Sequence, residues 1–444
     1  MGVFLYLRGR GDGIVQNPSI SGPEAHNHRY LGMKRFGPLA AIAAAVAVTI
    51  AIVAAVGSRG STDPAIDATP TEDGATTTSL DSVPFDRSQL PGDLEFVSRD
   101  WITDFSRTTI EFDELLIGIQ ATPIRDRIPP IDNPTFVSIA AADHVDDREP
   151  GLSLAIADDA RFYPLSILTA HEIVNDVVGG RPVAVTFCPL CNSAIVFDRV
   201  FEGTELRFGV SGLLRNSDLV MWDNATESLW QQLTGEGIVG SSAGAQLTFL
   251  PSSITSFGDF RQQNPTAQVL GPDQGFRRTY GYNPYVGYSS RTSPYGFFQQ
   301  DLIDDRFPAL SRVVNVTLDD TTKAYPFSVL QAAAPINDTV AGQDIVILWG
   351  GDTADALDAG EIADSQSIGT GIALSRTVDG QTLTFSAAGD NRFTDAETAS
   401  EWDLNGTAVS GPLAGAQLSP VVHGNEFWFA WAAFNPDAPV YESA

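Results

Sequence analysis

Two cysteines and 26 lysines and arginines, against 55 aspartates and glutamates, are what this chain of 444 residues offers for thiol and cationic chemistry. So few cysteines exclude a disulfide framework and a four-cysteine zinc site. A net charge of −29 argues against nucleic acid or an anionic lipid surface as a direct partner, because phosphates need clustered Lys and Arg. There is no glycine-rich phosphate loop after a strand, and no Gly-x-Ser-x-Gly elbow. His171 has no second histidine four residues on, so the zinc-protease helix is absent. Cys191 is followed by Asn192, which excludes the covalent haem motif. What is present is 43% hydrophobic and 9% aromatic residues, enough for a packed core in two or three domains.

Phe36 to Ser58 carries no charge, and Leu39 to Val56 is nearly all Ala, Val and Ile. Residues 36–58 read as a transmembrane anchor, or as the apolar core of a cleaved signal segment. Arg8, Arg10, Arg29, Lys34 and Arg35 precede the run, so that side stays inside as a cytoplasmic segment over residues 1–35. Met33-Lys34-Arg35 also suits an alternative start. The body is therefore expected outside the cytoplasm, held to the membrane by one N-terminal helix, or secreted if the segment is removed. Residues 59–92 are rich in Thr, Asp, Ala, Pro and Gly and predict a flexible acidic stalk.

The body repeats itself. Tyr163–Pro189 aligns without gaps to Tyr325–Gly351, with identities that include Tyr163/Tyr325, Pro164/Pro326, Asn175/Asn337, Asp176/Asp338 and Gly180/Gly342. Arg199, Phe208, Arg215 and Asp218 then match Arg376, Phe385, Arg392 and Asp395, and Trp230 matches Trp402. Each copy reads as a strand leading to Tyr-Pro, then a short helix ending near Asn-Asp. A buried strand, a hairpin at Glu202-Gly203 or Asp379-Gly380, and a closing helix (253–263 or 424–434) follow. The predicted fold is a β-rich α+β body of two degenerate copies packed with pseudo-two-fold symmetry. A lead-in and copy one occupy residues 93–270, and copy two occupies 312–444. Residues 271–311 form an aromatic bridge holding Tyr280, Tyr282, Tyr285, Tyr288 and Tyr295, read either as a ligand surface or as a connector pinned by aromatic burial.

The repeat serves as an internal control. Residues in both copies, Asp218 and Trp230 among them, lean structural. His171, Cys188 and Cys191 align with Ala333, Gly350 and Thr353, so thiol chemistry belongs to copy one. Cys188-Pro189-Leu190-Cys191 lies between two apolar strands, where both sulfurs can converge. One reading is a site for copper or zinc, with His171 as third ligand and His144 and His423 as remoter options. A second is a redox pair, although the downstream Ala194–Phe197 reads as strand and not as the usual helix. A third is an inert buried turn. A non-catalytic binding or scaffold module also remains open, and nothing in the spacing decides whether the protein is an enzyme.

Taken together, Ala160–Leu165, His171–Asp176, Thr186–Cys191 with Ser193-Ala194, Phe208–Gly212, Asn216–Asp218, Trp230–Gly235 and Phe427–Trp431 resemble the domain-of-unknown-function 3179 family over about residues 95–441. Asn192 stands where that family is expected to carry Gly. The resemblance implies membership and carries over no reaction or catalytic residue.

Overall fold

A computed structural model of the chain describes residues 85–442 except Asp320. The expected anchor or signal segment at 36–58 lies outside the described residues, and so does most of the stalk. Among the described residues no helix is long and apolar enough to cross a membrane. In the part of the stalk that is described, Leu90 is buried, while Asp86, Ser88, Gln89, Pro91 and Gly92 are exposed.

The body is β-rich α+β, with many short antiparallel strands and a few helices of two turns. After the lead-in comes a hairpin, in which Pro150–Ile156 pairs with Asp159–Pro164. Pro164 cannot donate to a further ladder bond and stands at the cap of a helix, Leu165–His171, whose side chains are almost all buried. The strands Ile173–Val178, Arg181–Cys188 and Ser193–Asp198 then form a meander. Their apolar runs are continuous because both faces are covered. A second sheet carries Phe208–Arg215, Asp218–Asp223 and Leu229–Gln231. The lead-in packs Leu94, Trp101 and Phe105 against Val220, Leu229 and Ile238 of that sheet. The strand Ser253–Ser256 returns to pair with Pro150–Ile156, and the helix Phe257–Gln263 follows, capped by the Ser256 hydroxyl, which accepts the Asp259 amide.

The same order recurs downstream. Arg312–Leu318 pairs with Thr321–Pro326, the helix Phe327–Ala333 follows, and Ile336–Val340, Gln343–Gly350 and Thr370–Ser375 form a meander. Phe385–Gly389, Arg392–Asp395 and Glu401–Asp403 make a further sheet. His423–Phe427 closes onto Arg312–Leu318 and leads into the helix Trp428–Phe434. Side-chain bonds recur as well. Tyr163 Oη donates to Asp176 at 2.6 Å, and Tyr325 Oη to Asp338 at 2.7 Å. The Asn175 amide brackets the backbone of Phe208 as the Asn337 amide brackets Phe385.

Three local expectations change. Asn175-Asp176 lies within a strand, since the helix ends at His171. Each closing element is a strand followed by a helix, because ladder pairing claims Ser253–Ser256 and His423–Phe427. The match of Asp218 with Asp395 is also displaced. Trp230 Nε1 donates to Asp223, and Trp402 Nε1 to Asp395, each at 2.9 Å. Phe208 lies opposite Asp223 and Phe385 opposite Asp395. Asp223 is thus the counterpart of Asp395. The first hairpin is longer than the second, and Asp218 sits on the extra length, so its structural reading is withdrawn.

The aromatic bridge is mostly a connector pinned by burial. Tyr288 is fully buried, stacks on Tyr295 with ring centroids 4.4 Å apart, and meets Phe427 edge-on. Its hydroxyl donates to the Leu190 carbonyl at 2.9 Å, which ties the bridge to the Cys-Pro-Leu-Cys turn. Tyr282, at 60% exposed, and Phe276, Val286 and Leu302 are exposed instead.

Candidate metal site

Cys188 ends the strand Arg181–Cys188 and faces Ser193 across the ladder. The connector between them is tight. The Cys191 amide donates to the Cys188 carbonyl and the Asn192 amide to that of Pro189, each at 3.3 Å. Asn192 takes the left-handed conformation at φ 53°, which an asparagine tolerates where glycine is the usual solution. The turn is anchored from the second half. Asn192 Nδ2 donates to the Asn425 carbonyl, and the Phe427 amide to that of Cys191.

The third member arrives from the other sheet. Asn216 and Ser217 both have positive φ in a tight turn that presents Asp218 at the start of its strand. Ligand atoms of Cys188, Cys191 and Asp218 lie within 4.8 Å of one another. All three residues are buried, with Cys191 and Asp218 fully so. The cysteines are free thiols, and Cys188 Sγ also donates to the Ser217 carbonyl at 3.6 Å. Asp218 Oδ2 accepts from Gln231 Nε2 at 2.6 Å and from the Leu233 amide at 2.8 Å. Its Oδ1 is buried with no protein partner, as are Gln231 Oε1 and Gln232 Oε1. Buried acceptors of this kind call for a donor or a cation.

The electrostatics point the same way. Burial pushes the Asp218 carboxyl up to about 6. Burial also raises both thiols, and the nearby Asp218 charge adds to it. Glu172 is pushed to about 8, first by burial and then by Asp218, with partial relief from Arg278. Acidic groups gathered without a matching cation cannot all ionise in a low-dielectric interior, whereas a bound cation reverses that preference.

Glu172 directly follows His171 in the chain. In the structure it caps the helix at φ 60°, ψ −30°, a strained conformation for a residue with a side chain. The aligned residue of the second half, Ala334, is ordinary at φ −65°, ψ 148°. Strain, buried acid and thiols therefore coincide in one half only.

His171 is not part of the group. Its Nδ1–H donates to the Pro129 carbonyl at 2.7 Å, its Nε2 accepts from Tyr280 Oη at 2.8 Å, and Phe276 lies against its ring. Both nitrogens are occupied, and burial lowers its pKa to about 4, so the ring is neutral and structural. His144 bonds the Leu270 carbonyl, and His423 bonds Val421 and Ser253. The residue beside the thiols that sequence reasoning missed is Asp218. The available signal was hairpin length: the gapless offset was carried past a hairpin of different size.

Residues 125–438 match the family model described as protein of unknown function (DUF3179). The chain belongs to the DUF3179 family. No curated protein and no solved structure gives a significant match. Cys188, Cys191, Asp218 and Glu172 all fall inside the DUF3179 span, whereas the lead-in helix Gly92–Ser98 falls before it.

Proposed function

We propose that this DUF3179 protein is an extracytoplasmic metal-binding protein, anchored through residues 36–58, in which Cys188, Cys191 and Asp218 hold one zinc or copper ion. The observation that carries the reading is the orphaned, buried Asp218 Oδ1 beside two free thiols. Two thiolates and a carboxylate make a mixed sulfur–oxygen set. That set suits borderline zinc better than Cu(I), which prefers sulfur alone. The charge of such an ion offsets the burial penalty, and the added repulsion from Asp218, that otherwise keep the thiols protonated. Redox exchange is less well supported, because a fully buried thiol with a raised pKa is a poor nucleophile.

The recurring Tyr–Asp, Asn–backbone and Trp–Asp bonds support descent of the two halves from one unit, related by a pseudo-two-fold axis. On that view the first half gained Cys188, Cys191, Asp218 and the strained Glu172 on a scaffold that does not need them.

Elemental analysis of the full-length chain tests the site. It is to be purified under reducing conditions and loaded with zinc or copper, beside the double variant Cys188→Ser, Cys191→Ser. The expected result is one ion per wild-type chain and none in the double variant. No retained metal in the wild type, or equal retention in both, defeats the proposal.

A further inference from the structure

The metal site leaves unused a cleft of about 320 Å³. It lies between the strand Ser193–Asp198 on one side and Arg312–Leu318 with His423–Phe427 on the other. Ile195, Leu233 and Phe249 supply apolar wall, while Asn315, His423, Glu426 and Trp431 supply polar groups. Hydroxyls of Ser252, Thr317 and Thr322 add to it, Asp319 stands at its exposed side, and no lysine or arginine lines it.

The polar groups are built in. Glu426 is 1% exposed, and Asn315 Nδ2 donates to its carboxylate. A Cβ at Gly424 would strike that carboxylate, so the glycine clears its place. Trp431 is 1% exposed, and its indole N–H has no protein partner. His423 donates from Nδ1 to the Val421 carbonyl at 2.8 Å, which leaves Nε2 to accept from the Ser253 hydroxyl at 3.2 Å.

The ladder register shows that the fold does not require this set. Glu426 pairs with Val313 as Thr255 pairs with Gly151, and Gly424 pairs with Asn315 as Ser253 pairs with Ser153. At equivalent places the first half therefore carries Thr255, Ser253 and Ser153. A carboxylate, a clearing glycine and an amide occur in the second half alone. A costly buried acid without a structural counterpart is expected to face a ligand.

The walls also define what that ligand is. Without a cationic side chain they offer no positive charge to pair with a phosphate or carboxylate. Two acids, buried Glu426 and exposed Asp319, stand among a majority of hydroxyl, amide, imidazole and indole groups, so the cleft offers many hydrogen bonds and no positive charge. Its volume is at the lower end for small-molecule sites. We infer that this cleft binds a neutral polyhydroxylated molecule of monosaccharide size, with Glu426 as its buried acceptor and Trp431 as its buried donor.

Calorimetric titration of the full-length chain is the test, with glucose and myo-inositol as neutral probes, glucosamine as the cationic probe and glucose 6-phosphate as the anionic one. Glucose or myo-inositol should bind, and more tightly than either charged probe. Glu426→Gln and Trp431→Phe should each weaken that binding by about tenfold, the effect of removing one buried hydrogen-bonding partner. Trp431→Phe keeps the packed ring and reports even if Glu426→Gln fails to fold. The inference falls if neither neutral probe binds, if a charged probe binds more tightly, or if a folded variant binds as the wild type does.

Discussion

Asp218→Asn separates a metal ligand from a merely structural carboxylate, because the two effects have opposite signs. The asparagine oxygen can still accept from Gln231 Nε2 and the Leu233 amide, so the turn keeps its bonds. Without metal, burial holds the wild-type carboxyl at about 6 in the fold, against an ordinary value of 3.8. A raised carboxyl pKa means that the fold disfavours the ionised form. The penalty is absent below pH 3.8, grows as pH rises, and is complete above about pH 6. At about 1.4 kcal/mol per unit it reaches roughly 3 kcal/mol at pH 7. In chelator at pH 7 the variant should therefore be the more stable protein, and the gain should vanish near pH 4. With zinc the order reverses. Outer-shell partners of a metal are worth roughly 10–100-fold in affinity, and a ligand is worth at least that. A 100-fold weaker site removes about 2.7 kcal/mol of ligand-linked stabilisation at a fixed free zinc concentration. Urea unfolding of the full-length chain, followed by tryptophan fluorescence with chelator and with buffered zinc, reads both arms. An unchanged zinc-induced shift in a folded variant refutes the ligand role. A variant less stable than wild type in chelator at pH 7 makes Asp218 structural.

Glu172→Gly should relieve the strained cap and remove a buried acid, raising metal-free stability by about 1–3 kcal/mol in the same unfolding assay; a loss would mean that the carboxylate supports the cap. His171 is neutral in the fold with its pKa lowered to about 4, so its contribution is complete above pH 6.5 and lost as pH falls towards 4. The metal-free wild type should lose up to about 3 kcal/mol from this group across that window, and His171→Gln should flatten the profile; equal slopes would remove His171 as the cause. Trp230→Phe and Trp402→Phe each delete one indole bond to a buried aspartate and should cost about 1–3 kcal/mol apiece by thermal unfolding. Strongly unequal costs would count against equivalent roles in the two halves.

Much of the scaffold was legible in the chain itself. Tyr163-Pro164 and Tyr325-Pro326 mark the end of a strand and the start of a helix, because proline ends a ladder and preorganises a helical turn. Glu202-Gly203 and Asp379-Gly380 both take positive φ in tight hairpins, as those residue pairs predict. The closing strands were hidden because Ser253–Ser256 and His423–Phe427 are short and run straight into helices, and only their ladder partners reveal them as strands.

The site divides along the same line. Local sequence determined that Cys188 and Cys191 share one bend, since three peptide units join them and the backbone hydrogen bonds of the turn are local. It could not determine what stands opposite. His171 is nearer in sequence, but a helix end directs its ring to Pro129 and Tyr280. Asp218 is farther along the chain, but a long hairpin from another sheet carries it to the sulfurs. Which side chains meet is set by how the sheets pack, a sum of many burial terms spread over the whole core. No short stretch of residues carries that sum, so only the tertiary structure could choose the carboxylate over the imidazole.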